Sequence, residues 1–207
     1  MGMDALFISR GDSDDKEMRM REKRMEFVWH PSFRTQGEEA SIFTHWTYNG
    51  YKSPDGLDFD VRAEDPVDWN DRSAINYSTD FHTWIMSMAD AYRVEDSNNL
   101  MVLMGDEFNF SDAEDYFTKS QKLIDYFNEN TGKMFNIELK FSTPSEYIDA
   151  IAEKDIEWSN RYADMLPYSD TPNAYWTGSF TSRPQLKSYI RKASAAYHGA
   201  SKLLALT

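Results

Sequence analysis

Two adjacent carboxylic acids stand where the sequence predicts the end of a strand. Asp106 and Glu107 follow residues 99–104, an apolar run typical of a buried strand, and Gly105 interrupts that run. In parallel α/β sheets, active groups collect where strands end and loops begin. One of the two acids could therefore serve as a general acid. The alternative is a loop whose negative charge favours the N-terminus of the next helix.

A second candidate site is the aromatic stretch PYSDTPNAYWTG over residues 167–178. Two prolines, a glycine and Asp170 keep this stretch out of regular structure, yet it contains three large aromatic side chains. Trp176 and its neighbours could form a platform for the apolar face of a pyranose, while Asp170 binds hydroxyl groups. Filling of the core by the same rings is the alternative, and the sequence leaves both open.

Other catalytic and metal-binding motifs are missing from the sequence. The four histidines are His30, His45, His82 and His198, and no two of them stand at metal-ligand spacing. The chain has no cysteine. There is also no nucleophile elbow, phosphate-binding loop or dinucleotide fingerprint. A complete set of nucleophile, base and acid cannot be assembled from these residues.

Charge and hydropathy argue against two classes of partner. The chain of 207 residues has a formal charge of −13, without a basic stripe that could neutralise phosphates or an anionic membrane surface. We therefore expect no nucleic-acid partner. Because no apolar run approaches the length of a membrane span, we also expect no such span.

The central elements predict a sheet that would position the two candidate sites. Apolar residues over 78–92 fall at helical spacing, and a capping-box pattern at 111–114 opens a second helix. Residues 135–141 alternate as in a strand, and 143–146 form another capping box with proline at the first helical position. Strands that alternate with helices in this way predict a parallel sheet with right-handed crossovers.

The N-terminal part gives weaker signals. Residues 5–9 predict a short strand, residues 14–29 a helix that ends before Pro31, and residues 33–71 a long irregular region.

The C-terminal part changes character near residue 183. Apolar side chains over 186–204 step by four and three residues, which is typical of a helix in a bundle. One helix cannot bury such a seam alone. We therefore expect an α/β region over residues 1–182 and the first helix of a helical bundle over residues 183–207.

One long block is the most specific feature of the sequence: PYSD at 167–170 followed by YWTGSFTSRP at 175–184. It resembles the signature PYAD…(F/Y)W(T/S)G(Y/F)(F/Y)(T/S)SRP of family 38 α-mannosidases of the lysosomal and Golgi type. Further segments resemble family patterns in the same order and cover essentially the whole chain: residues 4–20 (DG(F/L)FF(A/G)R…DK…RM), 49–51 (NGY), 57–61 (CWDV), 104–108 (MG(S/D)DF) and 142–145 (YSTP).

This resemblance implies part of a parallel-stranded (β/α) barrel-like catalytic domain of a retaining, zinc-dependent exo-α-mannosidase. In such an enzyme one carboxylate attacks the anomeric carbon and a second acts as acid, then as base. The acid/base position falls on Glu107, with Asp106 beside it. Because the family has aspartate there, the extra methylene of Glu107 moves the carboxyl group by about 1 Å, which could cost about 100-fold in rate. Four further residues match substrate-contacting positions: Arg10, Tyr51, Asp170 and Trp176.

The same resemblance implies that the active site is incomplete in this chain. The family's His-x-Asp zinc ligands and nucleophilic aspartate precede the matched segment, and its last zinc histidine follows it. We therefore expect a fragment, inactive alone, that acts on α-mannosides or N-glycans with the remainder of its parent enzyme. The implied compartment is the lysosome, vacuole or secretory pathway. The alternative is a non-catalytic remnant that binds carbohydrate or a partner.

Overall fold

The computed structural model describes residues 3–59, 72–93 and 97–206. Four strands form one sheet: β1 (Ala5–Ile8), β2 (Glu26–Trp29), β3 (Ile42–Trp46) and β4 (Ser159–Arg161). Their order is β1-β3-β2-β4, with β1 parallel to β3, β3 antiparallel to β2, and β2 parallel to β4. The predicted α/β class is confirmed. The predicted parallel barrel is not, because the sheet of the described residues is mixed.

The described residues also form seven α-helices: α1 (Ser13–Glu22), α2 (Phe33–Gln36), α3 (Arg72–Tyr92), α4 (Ala113–Glu129), α5 (Pro144–Ala152), α6 (Thr177–Thr181) and α7 (Pro184–Ala205). The capping box predicted for α5 is confirmed, since Glu146 N–H donates to Thr143 Oγ1 at 3.2 Å and Thr143 N–H donates to Glu146 Oε2 at 2.7 Å. Within the described ranges, no helix has both the length and the apolar character needed to cross a membrane.

The N-terminal predictions are wrong in two places. The helix predicted for residues 14–29 ends at Glu22, where Lys23 adopts a left-handed conformation (φ 57°) that closes α1. The chain then enters β2, because strand pairing buries Phe27 completely and this outweighs helix propensity. The region predicted as irregular contains α2 and β3, and its residues 60–71 lie outside the described residues.

Two predicted strands are absent from the strands of the described sheet. These are residues 99–104 and 135–141. Alternation or apolarity in a sequence predicts which side chains are buried, but a strand also needs a hydrogen-bonded neighbour.

Two apolar clusters form the core. The first lies against the sheet and contains Met25, Phe27, Trp46, Met88, Ala91, Tyr92 and Met165. The second contains side chains from α3, α4 and nearby loops: Phe59, Phe81, Ile85, Tyr116, Leu123, Phe127 and Phe135. Leu100 and Val102 pack against both clusters. The segment that leads to the acid pair is therefore held between them.

The C-terminal helix α7 contrasts with this core. The helix predicted from its apolar seam is confirmed, but Leu186, Ile190, Tyr197 and Leu204 remain 49%, 54%, 70% and 77% exposed. The assignment of this helix to a separate domain stays a prediction.

Candidate functional site

Two neighbouring parallel strands begin the candidate site. β1 and β3 end at the same edge, where Ile8 is paired with Trp46. Arg10 follows β1 and Tyr51 follows β3, so strand polarity places both side chains outside the carboxyl ends of the strands, where α/β proteins bind ligands. The guanidinium carbon of Arg10 lies 5.9 Å from the centre of the Tyr51 ring, within the range of a cation–π contact.

Gly11 lets this edge of the sheet rest directly on the core. A Cβ atom at residue 11 would lie 2.3 Å from Cζ2 of Trp46, which is fully buried. The Trp46 indole N–H donates to the carbonyl oxygen of Ser9 at 3.1 Å. The backbone on which Arg10 stands is therefore fixed by a core tryptophan.

Ser169 brings the aromatic stretch to the same place. Its N–H donates to the carbonyl oxygen of Gly11 at 3.0 Å, and its Oγ accepts from the Ser13 N–H at 2.9 Å. The second of these bonds joins residues 156 positions apart in sequence. Because Ser169 is held in this way, the neighbouring Tyr168 and Asp170 line the same cavity as Arg10, and the Arg10 guanidinium lies 5.6 Å from the Tyr168 ring centre.

The acid pair occupies an exposed loop that lines the same cavity. Asp106 Oδ1 accepts the Glu107 N–H at 2.7 Å, and Asp106 Oδ2 lies 3.9 Å from Lys52 Nζ. The Glu107 side chain is exposed, and its carboxyl group makes no hydrogen bond or ion pair with the described residues. Asp106 is therefore held by a backbone N–H, whereas the Glu107 carboxyl group has no such contact among the described residues.

These segments line one open cleft of about 720 Å³. Five of the six side chains proposed from the sequence lie on its wall: Asp106, Glu107, Arg10, Tyr51 and Asp170. Trp176 is not among the residues that line it. Its ring lies 5.4 Å from the ring of Tyr168, and its backbone N–H donates to the Tyr168 carbonyl oxygen at 2.9 Å. Tyr168 thus stands between Trp176 and Arg10, a position that the sequence pattern did not assign.

Lys16 is a second cleft residue that sequence reasoning missed. Its ammonium donates to the carbonyl oxygen of Tyr48 at 2.9 Å, which ties α1 to the loop after β3. Burial lowers the pKa of Lys16 from 10.5 to about 8. The cleft therefore presents carboxyl groups together with cationic donors and aromatic faces, a combination suited to a neutral, hydroxyl-rich ligand.

The described residues do not fit the zinc ion that the resemblance implies. Across residues 3–59, 72–93 and 97–206, no group of three or more His, Cys, Asp or Glu side chains could hold a metal ion. His45 Nδ1 is hydrogen-bonded to Glu26 at 2.9 Å. Both ring nitrogens of His30 are also engaged, with Ser41 at 2.6 Å and Asn160 at 2.8 Å.

Comparison with known proteins identifies the family. The model of the glycosyl hydrolases family 38 N-terminal domain matches residues 1–171. The chain belongs to glycosyl hydrolase family 38. Relatives within this family include the lysosomal alpha-mannosidase of Dictyostelium discoideum, 35% identical over 208 residues, and an alpha-mannosidase of Arabidopsis thaliana, 35% identical over 210 residues. The lysosomal alpha-mannosidase of Homo sapiens is 34% identical over 193 residues.

The family 38 chain is short compared with these relatives. The alignments cover 99%, 98% and 92% of this chain but only 20%, 20% and 19% of the respective relatives. The chain therefore spans about a fifth of the length of the curated relatives it matches. The cleft lies almost wholly within the matched family region, since its lining residues run from Ser9 to Pro172.

Proposed function

We propose that this family 38 chain forms one wall of an α-mannosidase active site, which binds and protonates a terminal α-mannoside. The observation that supports the proposal is the convergence of Arg10, Tyr51, Asp106, Glu107 and Asp170 on one cleft from distant parts of the sequence. Relatives that carry the name alpha-mannosidase over the same region support the choice of sugar.

In this proposal Glu107 is the acid/base residue. Its exposed carboxyl group protonates the glycosidic oxygen as the bond to the anomeric carbon breaks, and later takes a proton from the water that attacks the same carbon. Asp106 is fixed by the Glu107 N–H and faces Lys52, so it is better placed to bind a hydroxyl group than to exchange protons. The nucleophilic carboxylate comes from the remainder of the parent enzyme.

The remaining residues bind the sugar. Arg10 and Asp170 provide donors and acceptors for hydroxyl groups, and the rings of Tyr51 and Tyr168 provide apolar contact, with Trp176 packed against Tyr168. The parent enzyme is, in this proposal, a retaining and zinc-dependent hydrolase of mannosides or N-glycans. This chain contributes carboxyl, guanidinium and aromatic groups to that enzyme. For the parent we propose a lysosomal or vacuolar compartment, since two of these relatives are named as lysosomal.

Two measurements on the purified chain test the proposal. Titration with methyl α-mannoside, followed by NMR, should show binding that Arg10→Met weakens about tenfold, because a charged hydrogen bond is lost. An aryl α-mannoside assay, with and without added zinc, should show no turnover above that of Glu107→Gln. Turnover by the chain alone would show that its site is complete, and absence of mannoside binding would contradict the proposed wall.

A non-catalytic remnant that binds carbohydrate or a partner is the second candidate. The exposed apolar seam of α7 favours this function, because isolated soluble chains rarely expose such a continuous surface. This candidate predicts mannoside affinity, or a stable complex with another polypeptide, and it places no requirement on Glu107. Mannoside binding that Glu107→Gln and Arg10→Met leave unchanged would favour it over the first proposal.

A further inference from the structure

A buried serine joins two neighbouring loops that line the cleft. Ser53, 5% exposed, follows the loop of Tyr51 and Lys52, and it meets Gly105, which directly precedes the acid pair. The Ser53 N–H donates to the Gly105 carbonyl oxygen at 2.7 Å, and the Gly105 N–H donates to Ser53 Oγ at 2.7 Å. The two residues are 52 positions apart, so these bonds are tertiary contacts and not part of a local turn.

The hydroxyl group of Ser53 also reaches a third element. Its Oγ lies 3.0 Å from the phenolic oxygen of Tyr116, which is 2% exposed on α4. Ser53 therefore connects Gly105 to the core helix α4, because its hydroxyl group contacts both the Gly105 N–H and the Tyr116 phenol. The turn itself is closed by Asn49 Nδ2, which donates to the Ser53 carbonyl oxygen at 3.4 Å.

Residue 105 has to be glycine in this conformation of the loop. Its φ of 143° is one that side chains rarely allow, and a Cβ atom there would lie 2.9 Å from Cε2 of Phe110. The Gly105 N–H is buried, and without Ser53 Oγ it would lack its acceptor. A buried donor without an acceptor is costly, so the loop would shift towards another partner or towards water.

We infer that Ser53 is a positioning residue for the carboxyl pair Asp106 and Glu107, which it holds at a fixed distance from Tyr51 and Lys52 in the wall of the cleft. The inference rests on the proposed function for the meaning of this distance, but the contacts themselves do not depend on it. Small misplacements of an acid/base group cost large factors in rate. A buried hydroxyl group that is bonded to the residue directly before the pair therefore helps to build the site, although Ser53 itself does not line the cleft.

Ser53→Ala tests the inference through amide hydrogen exchange measured by NMR. We expect exchange at residues 105–107 to become about tenfold faster, because one hydrogen bond of the loop is lost. Core amides such as those of Phe27 and Trp46 should keep their rates. Methyl α-mannoside affinity should fall several-fold. Ser53→Thr keeps the Oγ and should restore the slow exchange.

The matched control is Ser120→Ala. Ser120 is a buried serine, 7% exposed, whose Oγ donates to the Tyr116 carbonyl oxygen at 2.9 Å within α4. This variant removes a buried hydroxyl group near Tyr116 but leaves Ser53 intact, so exchange at residues 105–107 should not change. Tyr116→Phe, which removes only the phenolic oxygen, should produce a smaller increase at the same residues and serves if Ser53→Ala does not fold.

Three outcomes overturn the inference. One is unchanged exchange at residues 105–107 in Ser53→Ala. The second is an increase shared equally by the core amides, which would show a general loss of stability. The third is a local increase with unchanged mannoside affinity. If the unmodified chain binds no mannoside, the proposed function fails, while the exchange rates still decide whether Ser53 holds the loop.

Discussion

Two groups of acidic side chains in this molecule lie in opposite environments. Glu26 is 4% exposed and accepts two hydrogen bonds on one oxygen, from His45 Nδ1 at 2.9 Å and from the Tyr147 hydroxyl at 2.6 Å. Asp106 and Glu107 are exposed on a loop, and the Glu107 carboxyl group has no partner among the described residues. The Glu26 carboxyl group is part of the core, whereas those of Asp106 and Glu107 are accessible to a ligand.

The difference lies in what surrounds each carboxyl group. Tyr92 stacks on His45 with ring centres 5.0 Å apart, and its hydroxyl donates to the Trp46 carbonyl oxygen, so the buried polar cluster of Glu26, His45, Tyr92 and Tyr147 lies inside the core. A buried charge without partners is costly, and this one has them. In the cleft, the loop of Asp106 and Glu107 is held by backbone hydrogen bonds. The Glu107 carboxyl group is therefore available to a ligand.

The largest expected effect compares Glu26→Ala with Glu107→Ala. The first should lower the free energy of unfolding by about 3 kcal/mol or more, because it leaves His45 and the Tyr147 hydroxyl buried without their acceptor. The second should change it by less than about 0.5 kcal/mol, as is usual for an exposed side chain. Urea denaturation of both variants measures the difference. Similar losses in the two variants would show that the acid loop is part of the core.

Neither Glu26 nor its partners could be recognised from the sequence. Glu26 lies in a charged segment that predicts a helix, and its burial depends on β2 pairing between β3 and β4. His45 seemed an isolated histidine, and Tyr147 lies on a helix whose capping box says nothing about which residue its hydroxyl meets. Where local pattern and local chemistry agree, as in α5, the prediction holds. Where pairing across the sheet determines the structure, as in β2, the prediction fails.

The candidate site was more accessible to sequence reasoning. Glycine-marked and proline-marked loops after apolar runs located Asp106, Glu107 and Asp170, and the family pattern added Arg10 and Tyr51. Tyr168 lies inside the PYSD motif and could have been chosen from its type and position. Lys16 is the lysine of the DK pattern within residues 4–20 and could also have been chosen, although its acceptor, the Tyr48 carbonyl oxygen, could not. Ser53 gave no such signal, because its role comes from contacts with Gly105 and Tyr116.

An intermediate effect separates Tyr147 from Tyr51, which is 52% exposed. Tyr147→Phe should lower the free energy of unfolding by about 1.5 kcal/mol at neutral pH, because it removes a hydrogen bond to the Glu26 carboxylate. Burial, together with the nearby Glu26, raises the pKa of Tyr147, and burial likewise raises the pKa of Tyr92. Both side chains therefore keep their protons in the folded chain when the unfolded chain loses them.

The free energy of unfolding should therefore fall as pH rises above about 10. The contribution of these tyrosines is complete below about pH 10, the pKa of an unfolded tyrosine, and is lost as pH rises above it. Between about pH 10.5 and 12 the free energy of unfolding should fall less steeply in Tyr147→Phe, by about 1.4 kcal/mol per pH unit for the one missing proton. Tyr51→Phe, at an exposed side chain, should change the free energy of unfolding at neutral pH by less than about 0.5 kcal/mol. Equal slopes in the unmodified chain and in Tyr147→Phe, measured by denaturation between about pH 10.5 and 12, would contradict the buried environment of Tyr147.

The smallest expected effect concerns the contact between Lys52 and Asp106. These side chains are 59% and 39% exposed and their charged atoms lie 3.9 Å apart, so a double-mutant cycle with Lys52→Met and Asp106→Asn should give a coupling below about 0.5 kcal/mol. A cycle with Tyr147→Phe and Glu26→Gln should give about 1 kcal/mol or more. A large coupling in the cleft would mean that Lys52 fixes the acid pair, which would move the positioning role from Ser53 to this contact. A small one leaves Asp106 held through the backbone, and that is the arrangement in which its carboxylate can exchange Lys52 for a sugar hydroxyl group at little cost.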